Sequence, residues 1–157
     1  MEIITAKESI MPRRDRAFFA LVFALPLLLA SGCGRGDGSL APADAQEDLR
    51  KSTLREVGEM LTLYKASKGK PPAKVADLAT FEVGFQVGYL RSKEGEVLIA
   101  WGAPIQEGAA DTILACEKQA PASGGYVLMQ DGQTVQKLTA EEFKSAKKAP
   151  GLATAGT

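Results

Sequence analysis

The sequence predicts an α+β domain in which a long helix packs on a small antiparallel sheet of about four strands, followed by a short helix. Three observations predict this fold. One long stretch with helical periodicity comes first, short strand-like segments separated by turn residues follow it, and a capping signal lies near the end. Consecutive strands joined by short turns favour antiparallel pairing, and a helix can cover one face of such a sheet.

The long helix is predicted over residues 46–68. Asp44 and Glu47 have the spacing of a capping box, and apolar side chains then recur at near-helical intervals. Gly69, followed by two prolines, supplies a stop. The residues expected to face the core are Leu54, Val57, Leu61 and Tyr64. The charged residues of the opposite face are interpreted as solvated.

Shorter elements fill the rest of the domain. A short second helix is predicted over Ala73 to Thr80, and the segment 84–92 is predicted to turn or coil before the sheet begins. Strands are predicted at 96–101, 112–117, 126–129 and 135–138. Asp131 and Gly132 stand between the last two strands and predict a hairpin with a tight turn, because glycine tolerates the positive φ that such a turn requires.

The C-terminal part contains one more helix and a tail. Thr139 and Glu142 repeat the capping-box spacing and predict a helix near 140–147, with Phe143 turned toward the core. Residues 149–157 are rich in Ala, Gly, Thr and Pro and are expected to be disordered. The folded domain is therefore expected to span 46–148.

The composition limits the chemistry that is available. Lys and Arg number 19, as do Asp and Glu, so the chain lacks the basic excess of a nucleic-acid-binding protein. It has no histidine, which removes the commonest general base near neutral pH and the commonest metal ligand. Two cysteines without histidine cannot assemble the usual four-ligand zinc site. We expect no metal, no cofactor and no nucleic-acid partner.

Residues 1–32 have the organisation of a signal peptide. A basic stretch at 11–16 precedes an apolar stretch, Ala17 to Ala30, which has the size of a signal-peptide core and is short for a membrane-spanning helix. Because Met11 begins the basic stretch, translation is expected to start there rather than at Met1. A buried core helix is the alternative interpretation of the apolar residues.

The end of this segment, Ala30-Ser31-Gly32-Cys33, resembles the lipobox of bacterial lipoproteins. The resemblance implies that Cys33 carries diacylglycerol and becomes the first residue of the mature chain. Residues 33–45 would then be the lipidated cysteine and a flexible tether to a bacterial membrane. In Gram-negative lipoproteins an aspartate directly after the cysteine is the usual signal for retention in the inner membrane. This chain has Gly34 at that position, which favours the outer membrane, facing the periplasm. An ordinary cleaved signal peptide with an incidental cysteine is the alternative.

Candidate sites in the mature chain also have structural interpretations. Cys116 is interpreted as a core residue in preference to a reactive thiol, with Leu114 and Cys116 on one face of their strand. A carboxylate pair for hydrolysis could come from Asp111, Glu117 and Asp131. Structural roles are the preferred interpretation, because Asp111 can begin a strand and Asp131 can form a turn. Trp101 fits the edge of the core better than a ligand-stacking surface, and Gly124-Gly125 fits a bend into a strand.

Residues 124–135, from the Gly-Gly pair through Asp131-Gly132, resemble the C-terminal hairpin of pilin-like proteins abundant in planctomycetes. Lys70-Pro71-Pro72 and Glu141-Glu142-Phe143 make the chain similar to small lipoproteins of such bacteria. This resemblance implies a long helix packed on a small antiparallel sheet.

These patterns lead to a functional expectation. The protein is expected to be a non-catalytic envelope lipoprotein that serves as a structural or protein-interaction module, with an envelope protein as its partner. A subunit of a pilin-like or secretion assembly is the alternative, and it would expose an apolar stripe along the long helix. A membrane-anchored hydrolase ranks third, because the sequence indicates no convergent polar cleft.

Overall fold

The structure, a computed structural model, describes residues 43–153. Four helices and a 3-10 helix surround one sheet in this part of the chain. The helices are α1 (Ala43–Lys68), α2 (Gln86–Lys93), α3 (Ala120–Ser123) and α4 (Ala140–Ser145), and the 3-10 helix is Val75–Phe81. The strands are β1 (Val97–Ile99), β2 (Thr112–Glu117), β3 (Gly125–Met129), β4 (Val135–Leu138) and β5 (Lys147–Lys148).

The sheet has the order β1-β2-β3-β4, and every pair along this path is antiparallel. One row of paired residues crosses it from Leu98 through Cys116 and Val127 to Gln136. The two-residue strand β5 lies parallel to β2 and pairs with its first residues. The predicted α+β class is therefore confirmed, with a long helix, an antiparallel sheet and a short C-terminal helix.

Helix α1 buries the face that its apolar periodicity predicts. All four expected core residues of this helix are at most 9% exposed, and Met60 is buried with them. The capping box expected at Asp44 is wrong, because Asp44 is itself helical in a helix that already includes Ala43. The carboxylate of Glu47 faces the sheet instead and accepts a hydrogen bond from the Tyr126 hydroxyl.

Two glycines let α1 approach its neighbours closely. A Cβ atom on Gly58 would lie 2.2 Å from the carbonyl oxygen of Gly132 in the β3–β4 loop. On the α2 side, a Cβ atom on Gly88 would lie 2.8 Å from the Cβ of Glu56. Real side chains cannot occupy these spaces, so both helix contacts depend on glycine.

The segment expected to turn or coil at 84–92 is largely the helix α2, which begins at Gln86. Its backbone is fixed from α1, since the Glu56 carboxylate accepts a hydrogen bond of 2.7 Å from the Gly88 N–H. Phe85, Val87 and Tyr89 alternate as in a strand, and two glycines lower the local helix propensity. Packing against α1 overrides both signals, since Tyr89 is 5% exposed.

The sheet separates two apolar clusters. The larger cluster lies between α1 and the sheet and includes Leu114, Ala115 and Leu128. The smaller cluster, on the other face, is centred on Phe143 of α4 and contains Ile113, Cys116, Val127 and Met129. The prediction that Leu114 and Cys116 share a face is wrong. A shift of register between Ile113 and Ala115 interrupts the alternation along β2.

The domain also extends beyond the predicted boundary at residue 148. Ala149 is 3% exposed, and its N–H donates to the carbonyl oxygen of Ile113. Leu152 packs partly buried against the core. The tail expected to be disordered from Ala149 is therefore packed on the domain through Leu152, and its residues 154–157 lie outside the described range.

Candidate functional site

A connected group of charged and polar side chains lies where the N-terminal half of α1 meets the ends of β2, β3 and β4. We call it the Glu117 cluster, and it comprises Glu47, Arg50, Lys51, Glu117, Tyr126 and Lys137. Glu117 ends β2 and is 8% exposed. A buried carboxylate requires a cation or several donors to offset its lost hydration.

Arg50 supplies that cation from α1. Its Nε and Nη2 atoms donate to the two oxygens of the Glu117 carboxylate at 2.6 and 2.5 Å, which is a bidentate pair. The Tyr126 N–H donates to the same carboxylate at 2.7 Å. The hydrogen bonds that Arg50 donates to Glu117 raise the pKa of Arg50, so the guanidinium stays charged.

Gly125 makes room for this carboxylate. A Cβ atom at residue 125 would lie 2.7 Å from Oε2 of Glu117. Gly124 has a φ of 77° and ends α3 just before the strand begins. The Gly-Gly pair therefore does more than bend the chain into β3, because its second residue leaves space for a buried charge.

Tyr126 lies at the centre of the cluster and is 2% exposed. Cationic atoms of Arg50, Lys51 and Lys137 lie 5.2, 5.6 and 5.7 Å from the centroid of its ring. Its hydroxyl donates to the Glu47 carboxylate. Burial and this hydrogen bond raise the pKa of Tyr126 to about 12, so the phenol is neutral near pH 7 and cannot serve as a base there.

Glu47 is held by the same contacts. The hydrogen bond from Tyr126 is the main cause that lowers the pKa of Glu47, and Lys137 and Lys51 lower it further. Lys137 lies 3.5 Å from the carboxylate and Lys51 lies 3.6 Å from it. Each acid of the cluster thus has its own cations, and the arrangement joins α1 to the sheet.

Two clefts flank Arg50. The first has a volume of about 210 Å³ and is lined by Leu49, Arg50, Thr53, Leu54, Arg91, Glu96, Val97, Glu117 and Gln119. The second lies toward α3 and α4 and includes Gly124, Lys137 and Thr139. The charged groups between them are largely paired within the chain, as Arg50 is with Glu117, Glu96 with Lys118, and Lys137 with Glu47. The clefts therefore offer few free charges to a ligand.

The other candidate carboxylates serve the fold. Asp111 accepts a hydrogen bond of 2.6 Å from Lys147 of β5, which lowers the pKa of this exposed carboxyl. Asp131 lies in the β3–β4 loop and accepts from the backbone N–H groups of Gln133 and Thr134. Glu117 is paired with Arg50. The three acids that could have supplied a carboxylate pair thus have separate partners, in line with the structural interpretation preferred for them.

The β3–β4 connection is longer than the tight turn that Asp131 and Gly132 predict. Residues 130–134 separate the two strands, and Gly132 has a φ of 75°. The Gly132 N–H donates to the Met129 carbonyl, and the carboxylate of Asp131 holds the remaining loop residues. Both predicted residues therefore lie in the turn, which is a wider loop built around them.

Cys116 and Trp101 are placed by their burial. Cys116 is 0% exposed in the smaller cluster, and burial raises the pKa of its thiol to about 12. Its burial confirms the interpretation of Cys116 as a core residue, and a thiol with so high a pKa is protonated near neutral pH. Trp101 is half-buried against the larger cluster, at the edge of the core.

The residues assigned to the lipobox, Ala30, Ser31, Gly32 and Cys33, lie outside the described residues, as does the rest of the expected signal peptide. None of the helices within residues 43–153 is long and apolar enough to cross a membrane. In the same range, no three acidic or cysteine side chains come close enough together to hold a metal ion.

The sequence does not predict most of the contacts in the Glu117 cluster. Arg50 and Glu117 are 67 positions apart, and Glu47 and Tyr126 are 79 apart. The one available signal is an acidic residue at the end of a buried strand, which predicts a cationic partner without identifying it. Comparison with protein-family models, curated proteins and solved structures finds no match to this chain.

Proposed function

We propose that the protein is a lipid-anchored envelope lipoprotein whose α+β domain is a non-catalytic structural or protein-interaction module. One observation carries the anchoring: an apolar stretch of signal-peptide length ends in Ala30-Ser31-Gly32-Cys33, ten residues before α1 begins. A single acyl chain binds a membrane marginally, whereas two or three hold it firmly. Diacylglycerol on Cys33 would therefore be sufficient for stable membrane residence.

The chemistry of the domain supports a non-catalytic role. Glu117, the most buried of its carboxylates, is neutralised by a bidentate arginine, and the Cys116 thiol lies in the core. A phenol with a pKa of about 12 and a thiol with a pKa of about 12 are poor bases and nucleophiles at neutral pH. These groups hold the fold together, as expected of a binding or scaffolding module.

The surface of α1 favours this proposal over a subunit of a pilin-like assembly. The large apolar side chains that α1 exposes are Leu49 and Leu63, at 50% and 44%. They are about four helical turns apart, and the positions between them on that side include Ser52, Glu56 and Glu59. A helix that packs against copies of itself needs a continuous apolar stripe, which these polar residues interrupt.

The anchoring is tested by labelled-palmitate incorporation and membrane fractionation of the full chain in a Gram-negative host. Wild type should be labelled and sediment with membranes, whereas Cys33→Ser should incorporate no label. Cys116→Ser is the matched control, and it should be labelled like wild type because that thiol lies in the folded domain. Label retained by Cys33→Ser, or lost from Cys116→Ser alone, would contradict the proposal.

A further inference from the structure

The segment from Met60 to Ala76 contains four lysines and no acidic residue, in a chain whose formal net charge is zero. We call Lys65, Lys68, Lys70 and Lys74 the lysine surface. All four are exposed, at the C-terminal end of α1 and in the loop that follows. Positive charge is therefore concentrated at one end of a domain that is close to neutral as a whole.

Among residues 43–153, the lysine surface forms no ion pair, whereas Lys51, Lys118, Lys137 and Lys147 each lie within 4.0 Å of a carboxylate. Lys65 donates to the carbonyl oxygen of Ile105, which positions the ammonium group without neutralising it. Lys93, Lys144 and Lys148 are also without ion pairs in this range. Lys93 and Lys144 each have an acidic residue within two positions along the chain, and the Lys148 ammonium donates to the carbonyl oxygens of Lys144 and Ala146. The lysine surface differs in its local excess of charge.

Helix electrostatics explains only half of this surface. Lys65 and Lys68 lie in the last turn of α1, where cations offset the negative end of the helix dipole. Lys70 and Lys74 lie beyond Gly69, which ends the helix with a φ of 69°. Because the dipole effect fades within the last turn, it accounts for neither of these two lysines.

The loop that carries them is ordered by backbone hydrogen bonds. The Gly102 N–H donates to the Pro72 carbonyl at 2.9 Å, and the Asp77 carboxylate accepts from the N–H groups of Ala73 and Lys74. Asp77 is the acidic residue nearest to Lys74 along the chain, and its carboxylate is hydrogen-bonded to the loop backbone. The lysines extend from a fixed backbone, so a ligand would have to order only their side chains.

We propose that the lysine surface binds a carboxylated glycan strand. A lysine ammonium is a point charge without the planar fork of arginine, so four dispersed lysines suit a polymer with one charge per unit better than a single phosphate. Pro71 is half-buried beside them, and half-buried Trp101 immediately precedes Gly102, the residue that donates to Pro72. The apolar faces of tryptophan and proline can pack against the C–H face of a sugar ring. An acidic peptide has no sugar ring to offer for this contact.

Two other polyanions fit these observations less well. A nucleic-acid-binding domain is generally basic overall, with a pI above about 9, whereas the sequence pI is about 6.3. If Cys33 anchors the chain, as proposed above, an anionic membrane would favour a basic surface near the N-terminal end of the domain. The lysine surface lies at the other end of α1, about 39 Å along the helix from Ala43.

The test measures binding of the purified full chain to a polyuronate oligomer at about 0.1 M salt, where long-range attraction between exposed charges is largely screened. The variant Lys68→Gln/Lys70→Gln/Lys74→Gln should weaken binding about tenfold, from the loss of three exposed ion contacts. The matched control Lys93→Gln/Lys118→Gln/Lys144→Gln removes the same charge elsewhere and should change binding less than about twofold. Equal losses in the two variants, or no binding by wild type, would overturn the proposal.

Trp101→Leu separates a glycan from other anions. It should weaken binding to the polyuronate but leave any binding to polyglutamate unchanged, with unfolding curves confirming that the variant folds. Tighter wild-type binding to polyglutamate or to a DNA duplex than to the polyuronate would contradict a glycan ligand. Binding to anionic phospholipid vesicles would contradict it only if Lys68→Gln/Lys70→Gln/Lys74→Gln weakens that binding, because attachment through a lipid on Cys33 is the same in wild type and variant. None of these assays requires a lipid on Cys33, so this inference and the anchoring proposal can fail separately.

Discussion

The two ends of α1 are held in different ways. At the N-terminal end, Glu47 and Arg50 reach across to Tyr126 and Glu117 and form a shared network of charges and hydrogen bonds. Further along, α1 is held by apolar packing of residues such as Met60, and by the absence of a side chain at Gly58. The helix ends in lysines that have no carboxylate partner within the described chain.

This difference separates charges that hold the fold from charges that remain available to a ligand. Glu117 is buried, so its partner is part of the structure, and losing that partner would leave a buried charge. The lysine surface is exposed and contributes nothing comparable to packing. Substitutions at one end should therefore change stability, whereas substitutions at the other should change binding.

The largest expected effect is that of Gly58→Ala. In an exposed helix this change stabilises by about 1 kcal/mol. Here the added Cβ would lie 2.2 Å from the Gly132 carbonyl oxygen, so it should lower the free energy of unfolding by about 3 kcal/mol. Urea denaturation measures it, with Gly84→Ala as control, where the nearest atom would be 3.9 Å away. Equal stability of the two variants would mean that α1 does not approach the loop so closely.

A smaller loss is expected when the Glu117 cluster is broken. Arg50→Met should lower the free energy of unfolding by about 1.5 kcal/mol, between the values for exposed and buried pairs, because the Arg50 side chain is 39% and that of Glu117 10% exposed. Lys147→Met removes an ion pair whose side chains are 74% and 63% exposed, and it should leave the free energy of unfolding nearly unchanged. Equal losses of stability in Arg50→Met and Lys147→Met would show that the Glu117 carboxylate is exposed to solvent.

The last expected effect is absent near pH 7 and develops only at alkaline pH. Tyr126 has a pKa of about 12 in the folded chain against an ordinary value of 10.0, so the unfolded chain loses this proton first. Its contribution to stability is complete below pH 10 and is lost as the pH rises through about 12. The free energy of unfolding of wild type should fall more steeply over this interval than that of Tyr126→Phe. Parallel curves would show that Tyr126 titrates like an exposed phenol.

The sequence predicts the elements that depend on local pattern. The apolar face of α1, the strands β2 and β4, and the loop around Gly132 follow from periodicity and turn residues. Thr139 and Glu142 form both bonds of the capping box at the start of α4, because this motif is complete within four residues.

The predictions from sequence fail where tertiary contacts determine the local structure. Gly88 lowers helix propensity in α2, yet only glycine fits where α2 crosses α1. The register shift in β2 exchanges the faces expected for its side chains, and strand alternation gives no sign of it. Arg50 resembles any other cation of a solvated helix until the fold brings it to Glu117.

The proposal that the mature chain begins at a lipidated Cys33 is tested most directly by the intact mass of the protein purified from membranes in detergent. We expect a chain that starts at residue 33 and carries the added mass of diacylglycerol, with or without a further acyl group on its amine. Lipase or base treatment should remove the ester-linked chains. An unmodified mass, or a mature chain that starts at any other residue, would contradict the account.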